Sequence, residues 1–434
     1  MAEAVSNRRV LAIALPIVLS NVTVPLLGLV DTGVVGQLGE AAPIGAVGLG
    51  AIVVSSVYWI FGFLRMGTTG LAAQARGVGD AAEARALLMR GLMVGAGAGL
   101  MMIAGQAGIF WAAFRLAPAS AEVEALARSY LTIRIWGAPA TIVLYAITGW
   151  LIAMERARGV LVLQVLMNGL NIGLDLVFVL VLGWGVPGVA AATLLAEWSG
   201  LALGLWLCRD AFAAGALPAW AQMLDPARLR RMATVNGDIL ARSVLLQASL
   251  TTFLFIGAGL GDVTLAANQV LVQFFGVTAY ALDGFAFAAE ALVGNAVGRR
   301  LRSEVRRAAI LSSQWGLGFA ALLSLGFFAV GPFAIDVMAS SPEVRAAARE
   351  YLPWMVAAPL FGVGAFMLDG IFIGATRTRE MRNAMILATA IYALALALLV
   401  PAFGNHGLWA SMIVLYIART ATLARHYAVI RAIA

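Results

Sequence analysis

Apolar residues run through the chain in stretches of about twenty or more, and these stretches are separated by short breaks that hold arginine, glycine or proline. A bilayer crossing needs about 20 mostly apolar residues. The pattern predicts crossings near 10–35, 44–66, 86–116, 129–154, 160–183 and 186–208, and then near 229–258, 263–297, 308–337, 351–373, 384–403 and 407–429. Barrel strands would be roughly ten-residue segments of alternating polarity. These runs are continuous and rich in Ala, Leu and Gly, so they read as helices. The first run follows Arg8 and Arg9, carries Asp31 and ends without a small-residue cleavage site, so a retained first helix is expected.

Composition strengthens this reading. Hydrophobic residues make up 62% of the 434, charged residues 12%, and the mean hydropathy is +0.93. A soluble domain has about 45–50% apolar and 25% charged residues. All of the positive charge is arginine, for there is no lysine, and the arginines fall in alternate breaks. Arg76, Arg156, Arg158, Arg228, Arg230, Arg299, Arg300, Arg377 and Arg379 mark one side, whereas the breaks near 36–42, 183–188, 259–262 and 404–407 carry almost none. Arginine retained on the cytoplasmic side places both termini in the cytoplasm. The pI of 10.1 therefore reports topology, and arginines split among short loops exclude a nucleic-acid partner.

The chain also repeats itself at an offset near 220 residues. Leu38-Gly39-Glu40 answers Leu260-Gly261-Asp262, Gly149 to Arg158 answers Gly370 to Arg379, and Gly185 and Gly188 answer Gly404 and Gly407. Several matches in one order indicate duplication. The expected fold is an all-α polytopic membrane protein of about twelve transmembrane helices. It has two six-helix lobes, 1–212 and 228–434, joined by a cytoplasmic loop at 213–227 and related by a pseudo-twofold axis along the membrane normal. Such paired bundles suit alternating access.

Ionisable residues inside a membrane are costly and usually functional. They are Asp31, Arg65, Arg134, Asp175 and Glu197 in the first half, and Asp238, Arg242, Asp283, Glu290 and Asp369 in the second. Asp238 and Arg242 are four apart and read as an ion pair on one helix. Asp283 and Glu290 read as lying near helix ends. Asp31, Asp175 and Thr193 fall at one level, roughly 10–15 Å below the outer boundary at about 1.5 Å per residue. Asn171 and Asn168 share a helix face with Asp175. The copied positions near Thr252 and Leu396 carry no acid, so the cluster belongs to one half. Two carboxyls in a dry site cannot both stay ionised cheaply, so they can exchange protons, and the all-oxygen ligand set also suits Na⁺. Pro16 and Pro25 can bend the helix that carries Asp31.

Cys208 is the single cysteine, His406 and His426 are isolated, and no phosphate-binding Gly-rich loop is present. No enzymatic constellation or cofactor is expected, nor any obligate protein partner. The segments Leu15-Pro16, Gly28 to Thr32, Asn168 to Asp175, Gly185 to Gly188 with Ala190 to Thr193, Asn236 to Asp238, and Leu265 to Gln269 together resemble the multidrug and toxic compound extrusion (MATE) family in its DinF-like branch. The resemblance implies an antiporter in the bacterial inner membrane that exports cationic or amphipathic organic compounds against protons. It assigns cation coupling to Asp31, Asn171, Asp175 and Thr193, and the bend of the first helix to Pro16. A Na⁺-coupled antiporter and a lipid or oligosaccharide flippase are the alternatives; a flippase calls for an arginine-lined cavity.

Overall fold

The computed structural model describes residues 4–37, 41–213 and 220–433, and every regular element among them is helical. The α-helices are α1 (Asn7–Gly36), α2 (Ala41–Trp59), α3 (Phe63–Val78), α4 (Ala81–Ala104), α5 (Gln106–Leu116), α6 (Ala121–Arg134), α7 (Ala138–Ala153), α8 (Ala157–Asp175) and α9 (Gly185–Leu207). They continue with α10 (Trp220–Met223), α11 (Pro226–Ala258), α12 (Asp262–Gly298), α13 (Arg302–Met338), α14 (Pro342–Gly374), α15 (Thr378–Arg425) and α16 (Tyr427–Ile433). The predicted break at 38–40 and residues 214–219 of the loop between the halves lie outside the described residues.

Eleven helical segments are long and apolar enough to cross a membrane. The last, α15, has 48 residues. At 1.5 Å per residue it would be about 72 Å long, more than twice a hydrocarbon core of about 30 Å. It turns at Gly404, whose φ of 55° and ψ of −128° lie outside helical space. Two crossings therefore come from α15, and the described residues hold twelve. Asn268 and Asn405 exchange hydrogen bonds beside this turn at 2.7 and 2.9 Å, and the Trp409 indole donates to Asn268 Oδ1 at 2.9 Å. These bonds give polar groups partners where no water reaches them. The predicted third crossing, 86–116, is not one helix: it breaks at Gly105 between α4 and α5. Short 3₁₀ turns at Ile60–Gly62 and Ile135–Gly137 join α2 to α3 and α6 to α7.

Duplication is visible in backbone geometry at an offset of 221. Helices starting at Ala41, Ala81, Ala121 and Ala157 return at Asp262, Arg302, Pro342 and Thr378. Left-handed residues Gly79, Glu155 and Gly183 return at Arg300, Thr376 and Gly404. Ser120 and Ser341 each cap a helix by accepting from the backbone N–H three residues on. A Cβ at Gly149 would stand 2.4 Å from the Arg65 carbonyl, and one at Gly370 would stand 2.4 Å from the Ala286 carbonyl. Small residues let membrane helices approach closely, and here the same approach is made twice.

The chain forms two compact units. One comprises Met1–Val18, Arg76–Val78 and Arg231–Ala434, and the other comprises Leu19–Ala75 and Gly79–Arg230. Within the first, Gly284 of α12 lies against α1, where a Cβ would collide with the Val18 side chain and the Ala14 carbonyl. Within the second, Arg90 and Arg228 share Glu83, and Arg90 also donates to the carbonyls of Gln222 and Met223, the latter at 2.9 Å. This buried guanidinium anchors α10 to α4.

Replacing Gly149 or Gly370 by Val forces a side chain into a neighbouring backbone carbonyl. Overpacking typically costs about 1–3 kcal/mol, and backbone yields less than a side chain. Both variants should melt well below the unmodified protein. Gly318→Val, whose Cβ meets nothing within 4 Å, should melt with it; equal melting of all three in detergent would disprove the close approach.

Candidate functional site

Asn171 and Asp175 lie one turn apart on α8 and are 1% and 0% exposed. Helical spacing continues their stripe back through Asn168 to Gln164. Gln164 Nε2 donates to Asn168 Oδ1 at 3.2 Å, Asn168 Nδ2 donates to the Thr23 hydroxyl at 2.6 Å, and Thr23 donates to the Ser20 carbonyl at 2.7 Å. The polar face of α8 is thus tied to α1, the helix that carries Asp31. Thr193 comes from α9, which packs beside α8.

The four residues marked in the sequence meet around one amide. In one orientation, Asn171 Nδ2 stands 3.2 Å from both Asp175 Oδ2 and Asp31 Oδ1, and its Oδ1 stands 3.2 Å from the Thr193 N–H and 3.0 Å from the Thr193 hydroxyl. In the other, Nδ2 donates to the Thr193 hydroxyl at 3.0 Å, which donates to the Val189 carbonyl at 3.0 Å. The amide oxygen then faces the carboxyls. The first orientation suits carboxylates, which only accept; the second suits a protonated acid, which donates. Asp175 Oδ1 is buried without a hydrogen-bond partner. Past Asp175 the helix widens into a π-turn over Leu176–Val181, with Leu182 N–H bonded to the Val177 carbonyl at 2.9 Å. Such widenings are frequent at functional sites. No residue of this stretch signals it, because Leu, Val and Phe suit either winding.

The same unit holds a buried ion pair that sequence reading named only as separate charges. Arg134 of α6 grips Glu197 of α9 with two hydrogen bonds, at 2.6 and 2.8 Å, and both side chains are buried. Tyr58 donates to the Arg134 carbonyl at 3.0 Å. Gly137 makes the room, since a Cβ there would stand 2.1 Å from Glu197 Oε2. Glu197 is one helical turn beyond Thr193, so the pair anchors the helix that supplies the cluster's hydroxyl.

In the other unit Asp369 and Asp238 are held by arginine. Asp369 Oδ2 accepts from both Arg242 and Arg419, the latter at 2.6 Å. Asp238 accepts from Arg382 at 2.6 Å and from Thr378 at 3.1 Å. The expected Asp238–Arg242 pair is therefore replaced by two longer-range pairs, because arginines on α15 reach across the packed helices. Asp283, expected near a helix end, lies 15 residues before Gly298 in the 37-residue α12. The repeat positions of Asp31, Asn171, Asp175 and Thr193, 221 residues on, are Thr252, Tyr392, Leu396 and Val414. Tyr392 is buried and donates to the Ser249 carbonyl at 3.2 Å.

Twelve crossings in a repeated fold, with a buried carboxyl pair gathered around one amide, define a polytopic membrane transporter. The chain belongs to the MatE family: the model of that family, MatE, matches residues 16–177 and again 239–400. The chain is 39% identical to DNA damage-inducible protein F of Escherichia coli, covering 96% of this chain and 91% of that one. It is 30% identical to a probable multidrug resistance protein NorM of Bradyrhizobium diazoefficiens, over 83% of this chain and 78% of that one. Among solved structures, a MATE crystal structure in a bent conformation superposes with a TM-score of 0.88 at 18% identity, over 98% of this chain and 96% of that one. A transporter of the MOP superfamily from Pyrococcus furiosus does so with a TM-score of 0.89 at 18% identity, over the same shares.

Breaking a buried ion pair costs about 3–5 kcal/mol, whereas replacing both partners by apolar residues is often neutral. Arg134→Met and Glu197→Leu should each destabilise the purified protein by that order, and the double variant should recover most of the loss. Additive losses in the double variant, measured by thermal unfolding, would show that the pair is not the interaction at stake.

Proposed function

We propose that the chain is a secondary antiporter that exports cationic and amphipathic organic compounds, driven by protons entering at Asp31, Asn171, Asp175 and Thr193. The carboxyl pair carries this reading. Asp175 is fully buried, has one oxygen without a partner, and shares a single amide with Asp31. A dry pair of carboxylates is unstable unless a proton or a cation accompanies it. Relatives described as multidrug resistance proteins support the organic cargo. Arg134, Arg242 and Arg419 are each bound to a carboxylate, which favours cationic cargo over the anionic head groups a flippase would need.

In this mechanism the Asn171 amide follows the proton. With both carboxyls ionised, its nitrogen faces them; when one takes a proton, the amide turns and presents its oxygen, and Thr193 changes from donor to acceptor. Pro16 supplies the bend of α1. Proline removes a backbone hydrogen bond inside a helix, and on α1 the boundary between the compact units falls at Val18, just beyond Pro16. The protein works in a bacterial inner membrane with both termini in the cytoplasm.

An antiporter binds proton and cargo to competing states, and linkage makes the coupling reciprocal. Cargo affinity in the purified protein should fall as pH is lowered, by roughly five- to 150-fold for a coupling of about 1–3 kcal/mol. The dependence should flatten in Asp31→Asn and Asp175→Asn, and both variants should fold but lose gradient-driven export. Pro16→Ala should slow export and keep the pH dependence. The oxygen-only ligand set also accepts a monovalent cation; affinity indifferent to pH but responsive to Na⁺ would replace the proton by Na⁺ at the same residues.

Orientation has its own test. In a Cys208→Ser background, cysteines introduced at Gly185 and Gly404 should react with an impermeant reagent added outside cells, and those at Arg158, Arg300 and Arg379 should react only after permeabilisation. The opposite pattern would invert the topology.

A further inference from the structure

We propose that the seam between α12 and α13 is a binding site for one acyl chain of a membrane lipid. The seam is a groove of about 380 Å³ whose walls include Phe274 on α12 and Leu322, Gly326, Phe327 and Met338 on α13, with Gln273 the single polar residue on it. Along α13 it runs from residue 322 to 338, about 24 Å at 1.5 Å per residue. One leaflet of the hydrocarbon core is about 15 Å deep, so the groove is long enough for a tail lying along the helix.

Its origin is local. Gly326 has no side chain, and a Cβ there would meet nothing within 4 Å. Phe274 and Phe327 meet edge to face at 5.2 Å and close the groove between the helices. The neighbouring residues of α13 tell what covers it: Leu325, Phe328 and Phe333 are 65, 72 and 68% exposed on a membrane-crossing helix, which leaves lipid as their surroundings.

Between membrane helices the hydrophobic effect supplies little, because lipid tails are as apolar as leucine, and packing decides. An empty groove forfeits dispersion contacts along its whole lining. An unbranched flexible tail restores them, whereas a charged organic molecule finds no opposite charge on this lining. The lipid therefore completes the packing of α12 against α13, at a place separate from the carboxyl cluster.

The full-length protein in phosphatidylethanolamine and phosphatidylglycerol vesicles, doped with phosphatidylethanolamine bearing a diazirine in its tail, provides the test. After illumination, label on peptides covering 322–338 should exceed, severalfold, that on the apolar face of α15 at Leu394 and Leu398, which are 60 and 62% exposed. Gly326→Leu should bring the two to equality, and Gly326→Ala, which leaves most of the groove open, should keep the excess. Thermal unfolding of both variants confirms that they fold. Equal labelling of the two faces in the unmodified protein, or an excess that survives in folded Gly326→Leu, would overturn the assignment. Displacement of the label by tetraphenylphosphonium would also overturn it and give the groove to cargo.

Discussion

Hydrocarbon offers no hydrogen bonds, and nearly every feature of this chain answers that constraint. Backbone groups must be satisfied within the segment, so every regular element among the described residues is helical and irregular backbone is confined to short connections. At Gly404 the helix turns, and the paired amides of Asn268 and Asn405 with the Trp409 indole stand beside it. At Gly105 and the 3₁₀ turns the departure from helical bonding lasts only a residue or a few.

Charge obeys the same constraint, and its distribution separates structure from chemistry. Arg134 and Glu197 neutralise one another, Asp238 pairs with Arg382, and Asp369 is gripped by both Arg242 and Arg419. An acid gripped by guanidinium gains nothing from taking up a further cation, so these groups hold helices together. Asp31 and Asp175 meet at an amide instead. An amide can turn to meet either protonation state, which a guanidinium, a donor only, cannot do.

Duplication supplied two equal scaffolds, and divergence used them differently. The close approaches of Gly149 and Gly370, the left-handed residues and the serine caps survive in both halves. These features set backbone geometry and tolerate little change. Side chains lining the bundles are freer: the positions that hold Asn171 and Asp175 in one half hold Tyr392 and Leu396 in the other, and Tyr392 packs in an apolar core with Phe253 and Trp409. One half holds the two carboxyls around an amide, and at the matching positions the other holds apolar and aromatic packing.

Much of this was legible in order along the chain. Bilayer thickness converts directly into run length, so the number of crossings followed from hydropathy, although the run at 86–116 breaks at Gly105, and the duplication followed from matches at one offset. The four cluster residues were legible as well, because an acid in an apolar run stands out and helix rise gives its depth. Partner choice was not. The four-residue spacing of Asp238 and Arg242 obeys a local rule, yet contact across packed helices gave Asp369 to Arg242 and Arg382 to Asp238, since a buried charge takes the partner with the best geometry whatever its distance in sequence. The grip of Arg134 on Glu197 and the two orientations open to Asn171 arise in the same way. The sequence by itself determined which segments enter the membrane and which polar atoms enter with them; only the tertiary structure decided which of those atoms meet, because that depends on how the helices pack.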